Sequence, residues 1–105
     1  MSEDNKTKEN EKAKTNEIFV GNKPIMKYVT ACLMQLGESN NKEIRVKARG
    51  KFISKAVDIA EVVKKNYKEK TKSDLKNEIS ISTEQFEGKE GKKINISIID
   101  IALSK

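Results

Sequence analysis

At a single glycine, the hydrophobic period of this chain changes from two to the three-and-four of a helix. Before Gly50, Ile44, Val46 and Ala48 alternate with Arg45, Lys47 and Arg49; after it, Ile53, Ala56, Val57, Ala60, Val63 and Tyr67 recur at helical spacing. A strand with one apolar face and a helix with one apolar stripe must each bury that side against another element. The stretch therefore demands a helix lying on a sheet. The same period of two aligns the three cations of the strand on the face away from the core.

The remaining segments fit that frame. Ile18-Phe19-Val20 is an apolar run stopped by Gly21-Asn22 and reads as a buried first strand. Pro24 suits a first helical turn, where its missing N–H costs nothing, with Asn22 or Lys23 in the capping position. Met26, Val29, Leu33 and Leu36 give a helical stripe widened by Ile25 and Cys32, and Gly37 with the polar run 38–41 ends it. After a polar stretch over 64–76, Ile79, Ile81 and Thr83 alternate with Ser80, Ser82 and Glu84 as a third strand. Turn glycines at 88 and 91 then lead into Ile94, Ile96 and Ile98, followed by Ile99, Ile101 and Leu103, which completes a hairpin. The apolar phase flips between Ile98 and Ile99, so the last strand either carries a bulge or changes which face is covered. A covered second face would imply a partner subunit. The expected fold is α/β, a β-α-β-α-β-β two-layer sandwich with two helices on one face of a mixed four-stranded sheet, spanning residues 17–105. Residues 1–16 hold one methionine and one alanine as their only apolar members, cannot repay the entropy of ordering, and are expected to form a disordered tail.

Charge narrows the function. The chain has 22 Lys+Arg against 16 Asp+Glu; residues 1–16 cancel, so the net +6 belongs to the folded part. A compact basic domain points to a polyanionic partner, with nucleic acid ahead of an acidic membrane surface or an acidic protein. There is no histidine and one cysteine, Cys32, which removes Ser-His and Cys-His chemistry and the common zinc ligand sets. No cofactor and no metal are expected. The best acid/base candidates, Asp58 and Glu61, stand three apart on a lysine-rich helix where solvated ion pairs are the ordinary outcome, so no enzyme is expected. No run approaches 18 apolar residues and no signal peptide is visible, giving the expectation of a cytoplasmic protein without a membrane partner.

From Arg45 to Lys55 there are five basic residues and no acidic one. Lys23 at one helix start, and Lys51 and Lys55 at the other, add cations to backbone N–H groups that already favour anions. Arg49 can hold a phosphate bidentately, and Arg45 and Lys47 broaden the surface. Any exposed face of a charged strand shows cations, but that reading predicts acids scattered among them. At the hairpin tip, Lys89, Lys92 and Lys93 either follow a minor groove or decorate a solvated turn, with Glu90 in their midst. Phe52 and Phe86 either stack on bases or belong to the core.

Three blocks in order, Gly21-Asn22-Lys23-Pro24-Ile25-Met26-Lys27-Tyr28-Val29, Lys47-Ala48-Arg49-Gly50-Lys51 through Asp58, and Ile98-Ile99-Asp100-Ile101-Ala102-Leu103, resemble the Alba family of archaeal nucleic-acid-binding proteins. The resemblance covers about residues 17–105. It implies a homodimer that lays a basic saddle over double-stranded DNA in chromatin, reaches along it with paired hairpin arms, and takes RNA as a further ligand. It carries the family's turn cations onto Lys23, Arg49 and Lys51 and its helix lysine onto Lys55. Asn22 departs from the lysine common there, which puts acetylation control in doubt. Tyr67 falls where the family places an aromatic used in dimer–dimer contact. The topology also resembles the C-terminal domain of a bacterial translation initiation factor, so an RNA-binding subunit of a processing or ribosomal ribonucleoprotein is the alternative expectation.

Overall fold

The computed structural model describes residues 16–38 and 41–105. Its elements are β1 (Glu17–Phe19), α1 (Ile25–Gly37), β2 (Glu43–Arg49), α2 (Ile53–Thr71), β3 (Lys76–Glu87) and β4 (Lys93–Ser104). Short 3-10 turns at Gly50–Phe52 and Lys89–Gly91 precede α2 and form the hairpin tip. The sheet order is β1-β2-β4-β3, with β1 parallel to β2 and the other pairings antiparallel. This is the mixed four-stranded α/β sandwich expected from the sequence. The expected tail falls on residues 1–15, which lie outside the described residues, and on Asn16, whose carbonyl accepts the Arg45 N–H at 3.0 Å.

One side of the sheet supplies the core. Ile44 and Val46 of β2 and Ile101 and Leu103 of β4 are fully buried against Val29, Cys32 and Leu36 of α1 and Ile59 and Val63 of α2. Leu75, 6% exposed, anchors the link from α2 to β3 after Lys72 closes the helix in a left-handed conformation. An Ile59→Ala substitution should cost about 2–5 kcal/mol, the usual range for a buried isoleucine.

Several expected core positions lie elsewhere. Met26 and Phe19 are 56% and 58% exposed, and Val57 is 40% exposed. The physical reason is angular. With Ile25, Cys32 and Leu36 at the centre of the α1 stripe, Met26 falls about 100° around the axis, whereas Tyr28 is closer and is buried instead. On α2 the stripe centres on Ala56 and Val63, which brings in Ile59 and leaves Val57 at the rim. In β1, alternation sends Phe19 to the open face of the sheet while Val20 is buried. The cap of α1 is Pro24 itself, with the helix beginning at Ile25, so Asn22 and Lys23 stand in the turn ahead of it.

The phase flip in β4 proceeds without a bulge. Pairing with β3 runs uninterrupted from Lys76↔Ser104 to Glu87↔Lys93. Ile99, Ile101 and Leu103 therefore face the helices, while Ile94, Ile96 and Ile98 face the opposite side. The helices cover only the C-terminal half of the strand.

Burial pushes the Cys32 thiol up from 9.0 to about 12. A raised thiol pKa favours the protonated native form, so this contribution is fully present below the unfolded value and is lost as pH rises from about 9 through 12. Thiol reagents at pH 8 should leave native Cys32 unlabelled and label it in urea. The urea midpoint should fall between pH 9 and 11, and less steeply in Cys32→Ala.

Candidate nucleic-acid interface

Topology gathers the cationic turns. Because β1 and β2 are parallel, their exits, and hence the starts of α1 and α2, lie at the same edge of the sheet. Antiparallel β4 passes that edge where Arg49 pairs with Ile98, and the β3–β4 hairpin continues beyond it. Five residue pairs from Thr83↔Ser97 to Glu87↔Lys93 extend past β2, an arm of about 17 Å. Lys23, Arg49, Lys51 and the arm thus share one end of the molecule.

A clasp joins the two turns. The Tyr28 hydroxyl accepts the Gly21 N–H at 2.8 Å and the Lys23 N–H at 3.2 Å. Lys55 donates from Nζ to the Gly21 carbonyl at 2.7 Å and stands 5.5 Å from the Tyr28 ring centre. A cation over an aromatic face, plus a charge-assisted hydrogen bond, fixes the first turn against the start of α2. Lys55 is a strut between turns. The turn's outer residues, Asn22 and Lys23, are exposed.

Around the second turn, Gly50 has φ +57, a conformation glycine adopts without strain, and it swings the chain from strand into α2 beside Ile96. Lys51 is exposed, with Nζ 5.5 Å from the centre of the half-buried Phe52 ring. Arg49 has a side chain 59% exposed; its guanidinium lies 5.4 Å from the Phe86 ring centre and 3.8 Å from the Glu84 carboxylate. An ion pair that long and that wet holds little, so the arginine is available to another anion.

Arg45 and Lys47 are in a different electrostatic setting. Arg45 reaches Glu43 at 3.3 Å and Asp100 at 3.1 Å, and Lys47 reaches Glu17 at 2.8 Å and Asp100 at 3.9 Å. Three carboxylates from three strands compensate two cations. The strand's cationic row is therefore divided, with only Arg49 near the edge lightly paired. Lys89, Lys92 and Lys93 are exposed around the arm's tip, where Glu90 and Gly91 both take positive φ. Glu61 is paired with Lys64 at 3.1 Å on the exposed side of α2. Tyr67 is half-buried against the core cluster.

The sequence reading gave the Tyr28 hydroxyl no role and put Phe19 in a buried strand. Tyr28 carried no signal beyond its place in a helical stripe, since the partners of its hydroxyl come from the preceding turn. The exposure of Phe19 could have been found from strict alternation within β1.

Comparison with known proteins agrees with this architecture. The Alba family model matches residues 16–83. "DNA/RNA-binding protein Alba" of Methanocella arvoryzae is 48% identical over 90 residues, covering 86% of this chain and 90% of that protein. The Methanococcus maripaludis protein of the same name is 44% identical over 90 residues, covering 86% and 98%. Among solved structures, Alba from Thermoplasma volcanium superposes with a TM-score of 0.71 at 46% identity, covering 86% of this chain and all of that one.

Removing the Tyr28 hydroxyl should isolate the clasp. Tyr28→Phe is expected to lower unfolding free energy by about 1–2 kcal/mol, because two backbone N–H groups lose their acceptor while the ring's packing remains. Urea denaturation checks it.

Proposed function

The chain belongs to the Alba family, and on that footing we propose that it is a non-enzymatic, chromosome-associated protein binding double-stranded DNA as a homodimer, with structured RNA as a further ligand. The observation that carries this reading is the convergence of Lys23, Arg49 and Lys51 with two helix starts and a protruding lysine-tipped arm at one end of the fold. Helix N-termini and cations together favour phosphate oxygens, and a contact set of this kind reads backbone more than sequence. The names of the relatives, DNA/RNA-binding proteins, support the ligand class.

Within the proposed surface, Arg49 and Lys51 are the principal contacts, with Lys23 beside them and Lys55 positioning that turn. Arg45 and Lys47 are assigned a lesser part because neighbouring carboxylates already compensate them. Lys89, Lys92 and Lys93 are placed along the groove reached by the arm. Tyr67 is proposed as a dimer–dimer contact.

The dimer reading rests on exposed apolar surface beside β3. Ile79 and Ile81 are 56% and 77% exposed on the helix-facing side of this edge strand, next to the Val57 rim. An edge strand bearing such residues calls for cover. Sedimentation at micromolar concentration should show a dimer, and Ile81→Glu should shift it to monomer; a monomeric wild-type protein would remove this part of the reading.

If each protomer brings about four cations to phosphates, log affinity for duplex DNA should fall with log salt at a slope of about −7. Arg49→Ala should weaken binding about tenfold or more across unrelated sequences. Arg45→Ala should change affinity about twofold or less. A flat salt response, or equal effects at Arg45 and Arg49, would defeat the proposed interface. Competition between duplex DNA and structured RNA ranks the two ligands.

A further inference from the structure

The open face of the sheet, opposite the helices, holds a cleft of about 560 Å³ that shares Arg49 and Lys47 with the proposed phosphate surface and is otherwise unassigned. Phe19, Lys47, Asp100 and Ser80 lie in register across all four strands, and Arg49, Ile98 and Ser82 form the adjacent row. We propose that this cleft receives a single unpaired guanine base, giving the protein a preference for nucleic acid with a guanine outside the duplex. The inference rests on the nucleic-acid-binding reading above and adds to it a site for a base.

Each wall supplies one element of base recognition. Phe19, 58% exposed, presents its ring on the open face from an edge strand, with the Lys47 ammonium 6.0 Å from the ring centre. Unstacked bases are held by aromatic faces and by hydrogen bonds to their Watson–Crick edges. Asp100 provides the acceptor. Its Oδ2 is bonded by Arg45 at 3.1 Å, while Oδ1 has no hydrogen-bond partner among the described residues. An unpaired carboxylate oxygen shielded from water is costly and normally has a partner. The carboxylate torsion of Asp is soft, so a small turn presents Oδ1 to the cleft while Arg45 keeps hold of Oδ2. Guanine alone among the common bases places two adjacent N–H donors, N1 and the exocyclic N2, on one edge, so one donor can go to Oδ1 and the other to the second lone pair of Oδ2 beside Arg45.

The rest of the cleft fits the same ligand. Phe19 and Asp100 are two strands apart, about 10 Å, with Lys47 between them in the same row and its ammonium 3.9 Å from the Asp100 carboxylate, so a ring laid against the phenyl reaches the carboxylate across the Lys47 side chain. The exposed hydroxyls of Ser80 and Ser82 line the floor beside Ile98 and can serve the carbonyl and ring nitrogen of a purine. Arg49 sits at the mouth, between this cleft and the turn around Gly50, so a nucleotide's phosphate can stay on the cationic edge while its base turns inward. Lys47, whose ammonium is held by Glu17 at 2.8 Å and lies 6.0 Å from the Phe19 ring centre, keeps the cleft from being net acidic.

The test uses the full chain and fluorescence anisotropy with a set of duplexes, DNA and RNA, each carrying one unpaired nucleotide, alongside the fully paired duplex. Wild type should bind the unpaired-guanine probe about tenfold more tightly than those with adenine, cytosine or uracil/thymine. Phe19→Ala should abolish that preference while changing fully paired duplex affinity about twofold or less, and Asp100→Asn should abolish it with duplex affinity unchanged or raised, because Arg45 and Lys47 lose a compensating carboxylate. Equal affinity for all unpaired bases, or a guanine preference that survives Asp100→Asn, would overturn the proposal. Titration of the wild-type protein with guanosine monophosphate, followed by amide shifts at Phe19, Ser80 and Ser82, needs no variant to fold; shifts spread evenly with adenosine monophosphate would also overturn it. Loss of duplex binding in wild type would sink the phosphate reading alone, since the mononucleotide titration reports on the cleft by itself.

Discussion

The cationic end of the molecule depends on the clasp made by Tyr28 and Lys55. A turn of exposed polar residues between a strand and a helix has no packing of its own, and its backbone donors would otherwise be left to water. Here one hydroxyl takes two of those donors and one ammonium takes the Gly21 carbonyl, so the Lys23 turn is tied to α2 as well as to α1. On the proposed reading, a phosphate meeting Lys23 and Lys51 meets a preformed surface, which avoids part of the entropy cost of ordering a loop on binding.

Charge is divided in the same spirit across the open face. The sheet interior balances Arg45 and Lys47 with Glu17, Glu43 and Asp100, drawn from three different strands, and leaves the cations at the strand ends lightly paired. Partly buried charges need partners to offset desolvation, whereas edge charges keep their water and remain exchangeable. The effect is to concentrate available positive charge at one end instead of spreading it over a face. The cleft between these two regimes combines a compensated floor with a cationic rim.

β4 links the core to the arm by changing sides. A strand that buried one face along its whole length would have to stay beneath the helices. By placing Ile99, Ile101 and Leu103 under them and Ile94, Ile96 and Ile98 on the opposite side, it leaves the sandwich while retaining unbroken pairing to β3. The exposed isoleucines of β3 and the turn glycine at 91 are the visible consequences of an element stabilised largely by its own ladder.

Alternation in β2, the helical stripes after Pro24 and Gly50, and the hairpin glycines were enough to determine element order and fold class, because those patterns are local and periodicity alone decides which face is buried. The cluster from Lys47 to Lys55 was equally legible as a cationic segment. Which of those cations are available was not, since Asp100 lies more than fifty residues from Arg45 and Lys47 in sequence and reaches them only through sheet register. The same holds for Lys55, whose partner is a backbone carbonyl of the other turn, whereas the exposure of Met26 follows from helical spacing alone. Pattern fixes what each segment must bury; only the tertiary fold sets distances between segments, and those distances decide how charge and hydrogen bonding are shared.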